Sequence, residues 1–378
     1  MSLIIGIDAS RNRSGGAQAH LIGILSSLNP EKHGIIEVHI WSFSSLLNLI
    51  PDQSWLIKHN PPTLEQSLTK QLWWQAIHME KEAKSTNCDI LFTTDASTLC
   101  HFKPMVVLSQ DMLSYEPGVM SHFGFGKARL RLLAILFLQN WVFRHSDGVI
   151  FLTNYASEII QNSSGPLTNV AIVPHGVGDD FRVTMHDDLS PPDDRKPIEC
   201  LYISNTSMYK HQWNVVRAIA ELRQHGAPIK LTLIGGGTGK AQELLQKEME
   251  KSDPNHDFVR QLPFVPQHEL PMYLAESDIF VFASSCENMP VTLVEAMVSG
   301  LPIACSDRGP MPEILKDGGL YFDPENPESI ISAVKKIHDN GALAKDLARK
   351  SHEYGNHYSW ARCSNETFSF IVDTYTRN

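Results

Sequence analysis

Short runs of β-branched and other apolar residues alternate along this chain with longer stretches of helical periodicity. This alternation is typical of βαβ units, whose strands pair in parallel, and it constrains the fold more than any other feature of the sequence. The sequence therefore predicts an α/β protein built on parallel sheets. Strands are predicted at Leu3–Asp8, Val38–Ser42, Ile90–Thr94, Val106–Ser109, Gly148–Leu152, Val170–Val173, Cys200–Ser204, Lys230–Ile234, Ile279–Ala283, Ile303–Ser306 and Leu320–Phe322.

The alternation is interrupted once, at residues 183–197. Prolines and aspartates are frequent there, and the apolar residues show no periodicity. Such a composition is typical of a linker. A chain of 378 residues is also long enough for two domains. We therefore predict a first Rossmann-like domain at 1–182, a linker at 183–197, a second Rossmann-like domain at 198–358 and a terminal helix at 359–378.

Composition excludes several classes of protein. Acidic residues outnumber basic ones by 42 to 32, so the chain lacks the basic footprint of a nucleic-acid-binding protein. The six cysteines form no C-x-x-C pair and no zinc-like spacing, which suits a reducing compartment. The run Leu132–Phe143 is shorter than the ~20 residues of a membrane span. The first apolar run ends at Asp8, too early for a signal peptide. We expect a cytoplasmic protein.

Two glycine-rich segments follow predicted strands. In Ser14–Ala17 the glycine pair lets the backbone approach a ligand, and the following helix start favours an anion; a plain tight turn is the alternative. The segment Gly235–Ala241 fails the phosphate-binding P-loop pattern. Its first glycine would have to stand at Ile234, and Ala241 stands where Ser or Thr is needed. We interpret this second segment as a strand-to-helix loop.

The segment 284–297 is the most informative part of the chain. A strand ends, a polar loop follows, and Pro290 stands where the first residue of a helix is expected. Glu287 and Glu295 are separated by seven residues. A carboxylate inside an apolar helix costs several kcal/mol unless it is paired, and sugar or ribose hydroxyls can pair with it. Neither carboxylate need bind a ligand. Glu287 could instead be a charge that stabilises the N-terminus of the helix, and Glu295 could lie on its exposed face.

This spacing resembles the E-x7-E motif of retaining glycosyltransferases of the GT-B fold, and residues 295–315 are similar to a run of the GT4 family. The resemblance covers essentially the whole chain, is strongest over 170–323, and points to bacterial surface-polysaccharide or lipopolysaccharide enzymes. It implies two Rossmann-like domains facing a cleft, with the terminal helix packed back on the first domain. Other similar segments are Ser14–Ala17, Val173–Val177 with Phe181, Leu201–Lys210 and Tyr358–Trp360.

The resemblance also implies roles for individual residues. Glu295 would bind the ribose hydroxyls of a nucleotide, Glu287 would face the donor sugar, and Lys210 would neutralise the β-phosphate. The first domain would bind the acceptor and the second the nucleotide sugar. The other implied donor-binding residues are Gly15 and Gly16 at the diphosphate, Asn205 near the phosphates, Phe264 and Val265 near the base, and Asn288, Met289, Pro290 and Val291 at the sugar and phosphate.

Two positions depart from the family pattern. Asn205 stands where the family usually has an arginine, so one cation is missing, and Arg308 is a candidate replacement. Gln110 stands where the family often has a histidine, which leaves Asp111 as the remaining catalytic candidate on the first domain. We interpret His175 and His211 as structural histidines.

We therefore predict a retaining, metal-independent hexosyltransferase without a cofactor. It would move a hexose, with mannose favoured, from a GDP-sugar or UDP-sugar to a glycan or lipid-linked glycan. The alternative is a nucleotide-sugar epimerase of the same two-domain fold. A third reading is a carbohydrate-binding or nucleotide-binding protein without catalysis.

One long apolar helix, predicted within residues 124–145, carries basic residues. It is either buried core or an amphipathic surface whose basic start rests on anionic lipid, which would give a peripheral membrane contact. Trp73 and Trp74 offer a second apolar spot close to Lys70. The basic residues of the helix are Lys127, Arg129, Arg131 and Arg144.

Overall fold

The computed structural model describes residues 2–13, 15–124, 126–182 and 197–377. The chain divides into two compact units. Unit 1 comprises residues 1–176 and 359–378, and unit 2 comprises residues 177–358. The predicted linker at 183–197 lies outside the described residues except for Pro197, and so does Ser14.

Unit 1 is built on a parallel sheet. Its strands are β1 (Leu3–Asp8), β2 (Ile35–Trp41), β3 (Leu56–His59), β4 (Ile90–Thr93), β5 (Met105–Leu108), β6 (Gly148–Phe151) and β7 (Val170–Ile172). They lie in the order β3-β2-β1-β4-β5-β6-β7, and every pairing is parallel. The chain therefore reverses its direction of growth between β1 and β4, the topological switch point of this sheet.

Unit 2 repeats this design with one strand fewer among the described residues. Its strands are β8 (Ile198–Ile203), β9 (Ile229–Ile234), β10 (Val259–Leu262), β11 (Ile279–Phe282), β12 (Ile303–Ser306) and β13 (Gly319–Phe322). They lie in the order β10-β9-β8-β11-β12-β13, again all parallel. Here the switch point lies between β8 and β11.

Helices connect the parallel strands. They are α1 (Gly15–Ser26), α2 (Ser44–Leu47), α3 (Leu68–Ile77), α4 (Met79–Ser85), α5 (Lys127–His145), α6 (Asn154–Ser164), α7 (Gln212–Gln224), α8 (Lys240–Ser252), α9 (Leu270–Ala275), α10 (Val291–Val298), α11 (Met311–Leu315), α12 (Pro327–Asp339), α13 (Gly341–Gly355) and α14 (Trp360–Arg377). In the part of the chain that the structure describes, every helix is too short or too polar to cross a bilayer. The α/β prediction with parallel sheets is confirmed.

The last helix, α14, packs on unit 1. A Cβ placed on Gly23 of α1 would lie 2.2 Å from the Trp360 ring, so the glycine makes room for that indole. The Ser364 hydroxyl donates to the carbonyl oxygen of Ile24 at 2.7 Å. Farther along, the Asn169 amide donates to the Thr374 hydroxyl at 3.0 Å. The prediction that the C-terminal helix packs back on the first domain is confirmed.

One detail of the predicted segment 284–297 is wrong. Pro290 is not the first residue of the helix, since α10 begins at Val291. Pro290 keeps an extended backbone, with φ −79° and ψ 97°, and it caps the helix from outside. The loop that carries Glu287 is therefore one residue longer than the sequence suggests.

The glycine-rich loop after β9 packs against the loop after β8. Gly235 has a left-handed φ of 110°, and a Cβ on it would lie 2.4 Å from the carbonyl oxygen of Ser204. A Cβ on Gly237 would lie 2.5 Å from the carbonyl oxygen of Thr206. Gly236 faces open space within 4 Å among the described atoms. Close backbone packing accounts for Gly235 and Gly237.

We expect Gly237→Ala to lower the free energy of unfolding by about 1–3 kcal/mol, because backbone atoms must move to admit the methyl group. Gly236→Ala is the matched control and should change that free energy by less than about 0.5 kcal/mol. Urea denaturation followed by circular dichroism measures both. Equal stabilities of the two variants would contradict the packing described for this loop.

Candidate active site

The switch point of unit 2 brings two polar loops together. In open parallel sheets, ligands bind at the carboxyl ends of the strands where the strand order reverses. The loop after β8 carries Asn205 and Lys210, and the loop after β11 carries Glu287. Because β8 and β11 are neighbours, these loops emerge at the same edge of the sheet.

Lys210 and Glu287 form a largely buried ion pair between Nζ and Oε1. The ammonium also lies 5.4 Å from the centre of the Tyr209 ring and 5.6 Å from that of Phe282. Burial alone would lower the pKa of Lys210, but the Glu287 carboxylate and Tyr209 outweigh it, so the pKa is raised. Lys210 therefore stays protonated, and the two loops present a fixed positive charge beside a fixed carboxylate.

Glu295 is a second buried carboxylate, in the second turn of α10. Glu295 is 2% exposed, so the alternative that it lies on an exposed face of the helix is wrong. Oε1 accepts a hydrogen bond from the Gln267 side-chain amide at 2.8 Å. Oε2 is buried and has no hydrogen-bond partner among the described residues. Burial raises the pKa of Glu295 to about 7, and the Gln267 hydrogen bond opposes that shift.

The loop between β10 and α9 borders Glu295 through Gln267. The predicted base-binding residues Phe264 and Val265 lie in this loop, within three residues of Gln267. Phe264 is 80% exposed, which leaves an aromatic face available for stacking. No sequence signal singled out Gln267, because its role depends on a contact with a residue 28 positions away.

Arg308, the candidate replacement for the missing cation at Asn205, is paired with two carboxylates, and its predicted role stays a prediction. The Arg308 guanidinium lies 3.0 Å from the Asp323 carboxylate and 3.3 Å from that of Asp307. Asn205 is exposed and lies in the same loop as Lys210, where its amide is 3.4 Å from the Ser207 hydroxyl. Lys210 is therefore the cation that the described part of this loop provides.

The segment 288–291 connects Glu287 to α10. Asn288 and Met289 are buried, and Val291 begins the helix. The first backbone N–H groups of a helix lack intrahelical partners and favour anions. The predicted contacts of this segment with sugar and phosphate stay predictions.

In unit 1, Gly15 and Gly16 are the first two residues of α1, and a Cβ on either would have no described atom within 4 Å. Asp111 follows β5, and its carboxylate accepts a hydrogen bond from the Leu113 backbone at 2.9 Å. Burial raises the pKa of Asp111 against that hydrogen bond. Gln110 donates to the carbonyl oxygen of Thr94 at 3.2 Å. The predicted roles of Gly15, Gly16 and Asp111 stay predictions.

His175 is buried within unit 1. Its Nδ1 lies 2.8 Å from Nδ1 of His20, and its ring centre lies 6.2 Å from that of Trp360. Burial lowers the pKa of His175 to about 3, so the ring is neutral at physiological pH. These contacts fit the interpretation of His175 as a structural histidine.

Comparison with known proteins assigns the second half of the chain to a family. Residues 188–354 match the family model described as "Glycosyl transferases group 1". Among curated proteins, O-antigen chain mannosyltransferase B of Escherichia coli is 28% identical over 142 residues, which cover 36% of this chain and 36% of that protein. The match thus spans about a third of the length of this relative.

Solved structures with the same fold cover the whole chain. Sucrose-phosphate synthase from Thermosynechococcus elongatus has a TM-score of 0.77 at 15% identity, with 100% of both chains covered. The Anabaena protein Alr3699/HepE in complex with UDP-glucose has a TM-score of 0.72 at 16% identity, also with 100% of both chains covered. At these identities the likeness establishes the fold.

The family match, the two parallel sheets and the paired carboxylates agree with one another. Residues 188–354 are similar to the group 1 glycosyl transferases, and the chain has the two-domain GT-B fold.

Proposed function

We propose that this protein is a retaining hexosyltransferase that uses a nucleotide-diphospho-sugar as donor. The Lys210–Glu287 ion pair at the switch point of unit 2 carries the proposal, because it places a permanent cation beside a carboxylate at the edge where such sheets bind ligands. The donor is a GDP-sugar or a UDP-sugar, with mannose as the favoured hexose, and the acceptor is a glycan or lipid-linked glycan. The E. coli mannosyltransferase and the UDP-glucose complex of the Anabaena protein support this choice.

In the proposed reaction the bond between the anomeric carbon and the diphosphate oxygen breaks, and the acceptor oxygen bonds to the same face of that carbon. The departing phosphate takes the proton of the acceptor hydroxyl. Negative charge develops on the diphosphate, where Lys210 and the N-terminus of α10 stabilise it. Glu287 orients the hydroxyls of the donor sugar, and no metal ion takes part in the proposed step.

Glu295 and its neighbours bind the nucleoside part of the donor in this proposal. Oε2 of Glu295, which has no hydrogen-bond partner in the described part of the chain, accepts hydrogen bonds from ribose hydroxyls, and these satisfy a buried carboxylate oxygen. Gln267 keeps the other oxygen occupied and so fixes the direction in which Oε2 points. The exposed Phe264 ring provides a face on which the base stacks.

A peripheral contact with an anionic membrane is a second element of the proposal. Helix α5 of unit 1 leaves apolar side chains exposed, with Leu130, Phe137 and Trp141 at 70%, 68% and 40% exposure. Its buried residues are Leu132, Gln139, Asn140, Val142 and Phe143. The exposed residues are spaced by seven and four positions and therefore form one stripe. The cationic side chains of the same helix are Lys127, Arg129, Arg131 and Arg144. An apolar stripe flanked by cations fits the headgroup region of an anionic bilayer.

The proposed activity is tested by incubating the protein with each nucleotide sugar in turn, with and without acceptor, and comparing Lys210 variants. We expect Lys210→Ala to lower kcat by on the order of 10²-fold, as for the loss of a transition-state hydrogen-bond donor. Lys210→Arg should restore part of that loss, because the charge returns with a different geometry. Lys247→Ala removes an exposed lysine of α8 and is the matched control, with unchanged kcat.

Full activity of Lys210→Ala would refute the role of this residue. Conversion of the donor to an epimer in the absence of acceptor would favour the nucleotide-sugar epimerase instead. Nucleotide binding without turnover of any donor would favour a binding protein.

Nucleotide affinity should depend on pH through Glu295. With a pKa of about 7, the carboxyl is mostly ionised at pH 8 and mostly protonated at pH 6. Only the ionised form accepts hydrogen bonds on both oxygens, so UDP or GDP should bind about tenfold more weakly at pH 6 than at pH 8. Glu295→Gln should bind weakly at both pH values by calorimetry. The phosphates of the ligand titrate equally with both proteins, so parallel pH profiles would contradict the assignment.

Binding to liposomes with anionic lipid should weaken on changing Lys127, Arg129 and Arg131 together to Gln. At about 1 kcal/mol for each basic residue, we expect a loss on the order of 10²-fold at low salt. Sedimentation at low and high salt measures it. A control variant with Lys247, Lys336 and Lys345 changed to Gln removes the same charge from exposed positions of unit 2. Equal binding of the two triple variants would reject the α5 surface as the membrane contact.

A further inference from the structure

His211, directly after Lys210, has an unusual backbone conformation. Its φ of 50° and ψ of 27° lie in the left-handed region, which a side chain with a Cβ rarely adopts. Its side chain is nonetheless buried. Residues persist in this region when surrounding contacts hold them there, and such residues concentrate at functional sites.

The contacts that hold this segment come from Ser285, two residues before Glu287. The backbone N–H of Ser285 donates to the carbonyl oxygen of Tyr209 at 2.7 Å. The Ser285 hydroxyl lies 2.8 Å from Nε2 of His211 and 3.3 Å from the Tyr209 carbonyl oxygen. Ser285 thus bonds to the residue on either side of Lys210.

A third contact holds the backbone of Lys210 itself. The Tyr202 hydroxyl, at the end of β8, donates to the carbonyl oxygen of Lys210 at 2.7 Å. Tyr202 is fully buried, and its ring packs against Phe282 at the end of β11, with ring centres 5.8 Å apart. The backbone carbonyl oxygens of Tyr209 and Lys210 and the ring of His211 are therefore hydrogen-bonded to other segments of unit 2.

We infer that His211 and Ser285 are positioning residues that hold the Lys210 ammonium in place against Glu287. We call the hydrogen bonds that Ser285 forms with Tyr209 and His211 the Ser285 clasp. This inference rests on the proposed function, in which Lys210 stabilises the charge of the leaving diphosphate. It goes beyond that function because it assigns a positioning role to two residues that do not contact the donor.

The clasp matters because a lysine side chain has four rotatable bonds and considerable conformational freedom. Electrostatic stabilisation of a transition state requires a charge that is already in position when the charge on the substrate develops. A backbone that is free to shift by about 1 Å would let the ammonium follow the donor in the ground state but lose its alignment in the transition state. Loosening the clasp should therefore lower kcat more than it weakens donor binding.

The test compares Ser285→Ala and His211→Gly with Ser284→Ala. His211→Gly keeps the left-handed backbone available but removes the ring. Ser284→Ala is the matched control, because this neighbouring buried hydroxyl lies 3.3 Å from the carbonyl oxygen of Cys286 in its own loop. We expect Ser285→Ala and His211→Gly each to lower kcat by about tenfold, with donor KM changed by less than about twofold. The double variant should fall no further than Ser285→Ala, because His211→Gly removes a hydrogen bond that Ser285→Ala has already removed.

A second readout does not depend on the reaction. We expect an amine-reactive reagent, followed by mass spectrometry, to label Lys210 several-fold faster in Ser285→Ala and His211→Gly than in the wild-type protein or in Ser284→Ala. Equal labelling of Lys210 in Ser285→Ala and Ser284→Ala would overturn the clasp, whatever the activity. Faster labelling in a protein that turns over no nucleotide sugar would instead leave the clasp intact and refute the proposed function. Should Ser285→Ala unfold, as judged by circular dichroism, His211→Gly carries the same comparison.

Discussion

Two parallel sheets that must be covered by helices on both faces determine most of this structure. Parallel strands cannot be joined by tight turns, so each connection crosses a face of the sheet and usually carries a helix. All strands then end at one edge, and the residues that follow them meet there. Lys210 and Glu287 are 77 positions apart in the sequence but follow neighbouring strands. The strand order brings the two loops together, and the local contacts around Lys210 then hold its ammonium in place.

Several groups near this edge of the unit 2 sheet lower the free energy of unfolding. A buried ion pair gains less from mutual attraction than its charges lose in hydration unless hydrogen bonds support it. Glu295 has one oxygen without a partner among the described residues, and burial alone raises its pKa. His211 holds a left-handed backbone. Three unfavourable features close to one another in unit 2 are expected where binding, rather than folding, has shaped the choice of residues.

Much of this organisation can be predicted from the sequence, and the exceptions have physical causes. Central strands such as Leu3–Asp8 and Ile303–Ser306 were predicted at their observed bounds because both faces are buried and their sequences are almost wholly apolar. The edge strands β3 and β10 were missed, since LIKH and VRQL carry charged residues that an edge tolerates. A motif predicts Glu287, Glu295 and Lys210 as site residues. Gln267 and Ser285 are identified as their neighbours only by contacts between distant parts of the chain.

The position of α14 has a consequence for how the chain is made. Unit 1 is discontinuous in sequence, because unit 2 is inserted before its last helix. During synthesis every strand of both sheets emerges before Trp360 can fill the space left by Gly23, and before Phe370 and Thr374 can cover Gly148. Unit 2 can fold as a continuous stretch, while the earlier-made unit 1 keeps an apolar surface uncovered until α14 has been synthesised. The nascent chain is therefore most exposed to aggregation and to chaperones in the half that was synthesised first.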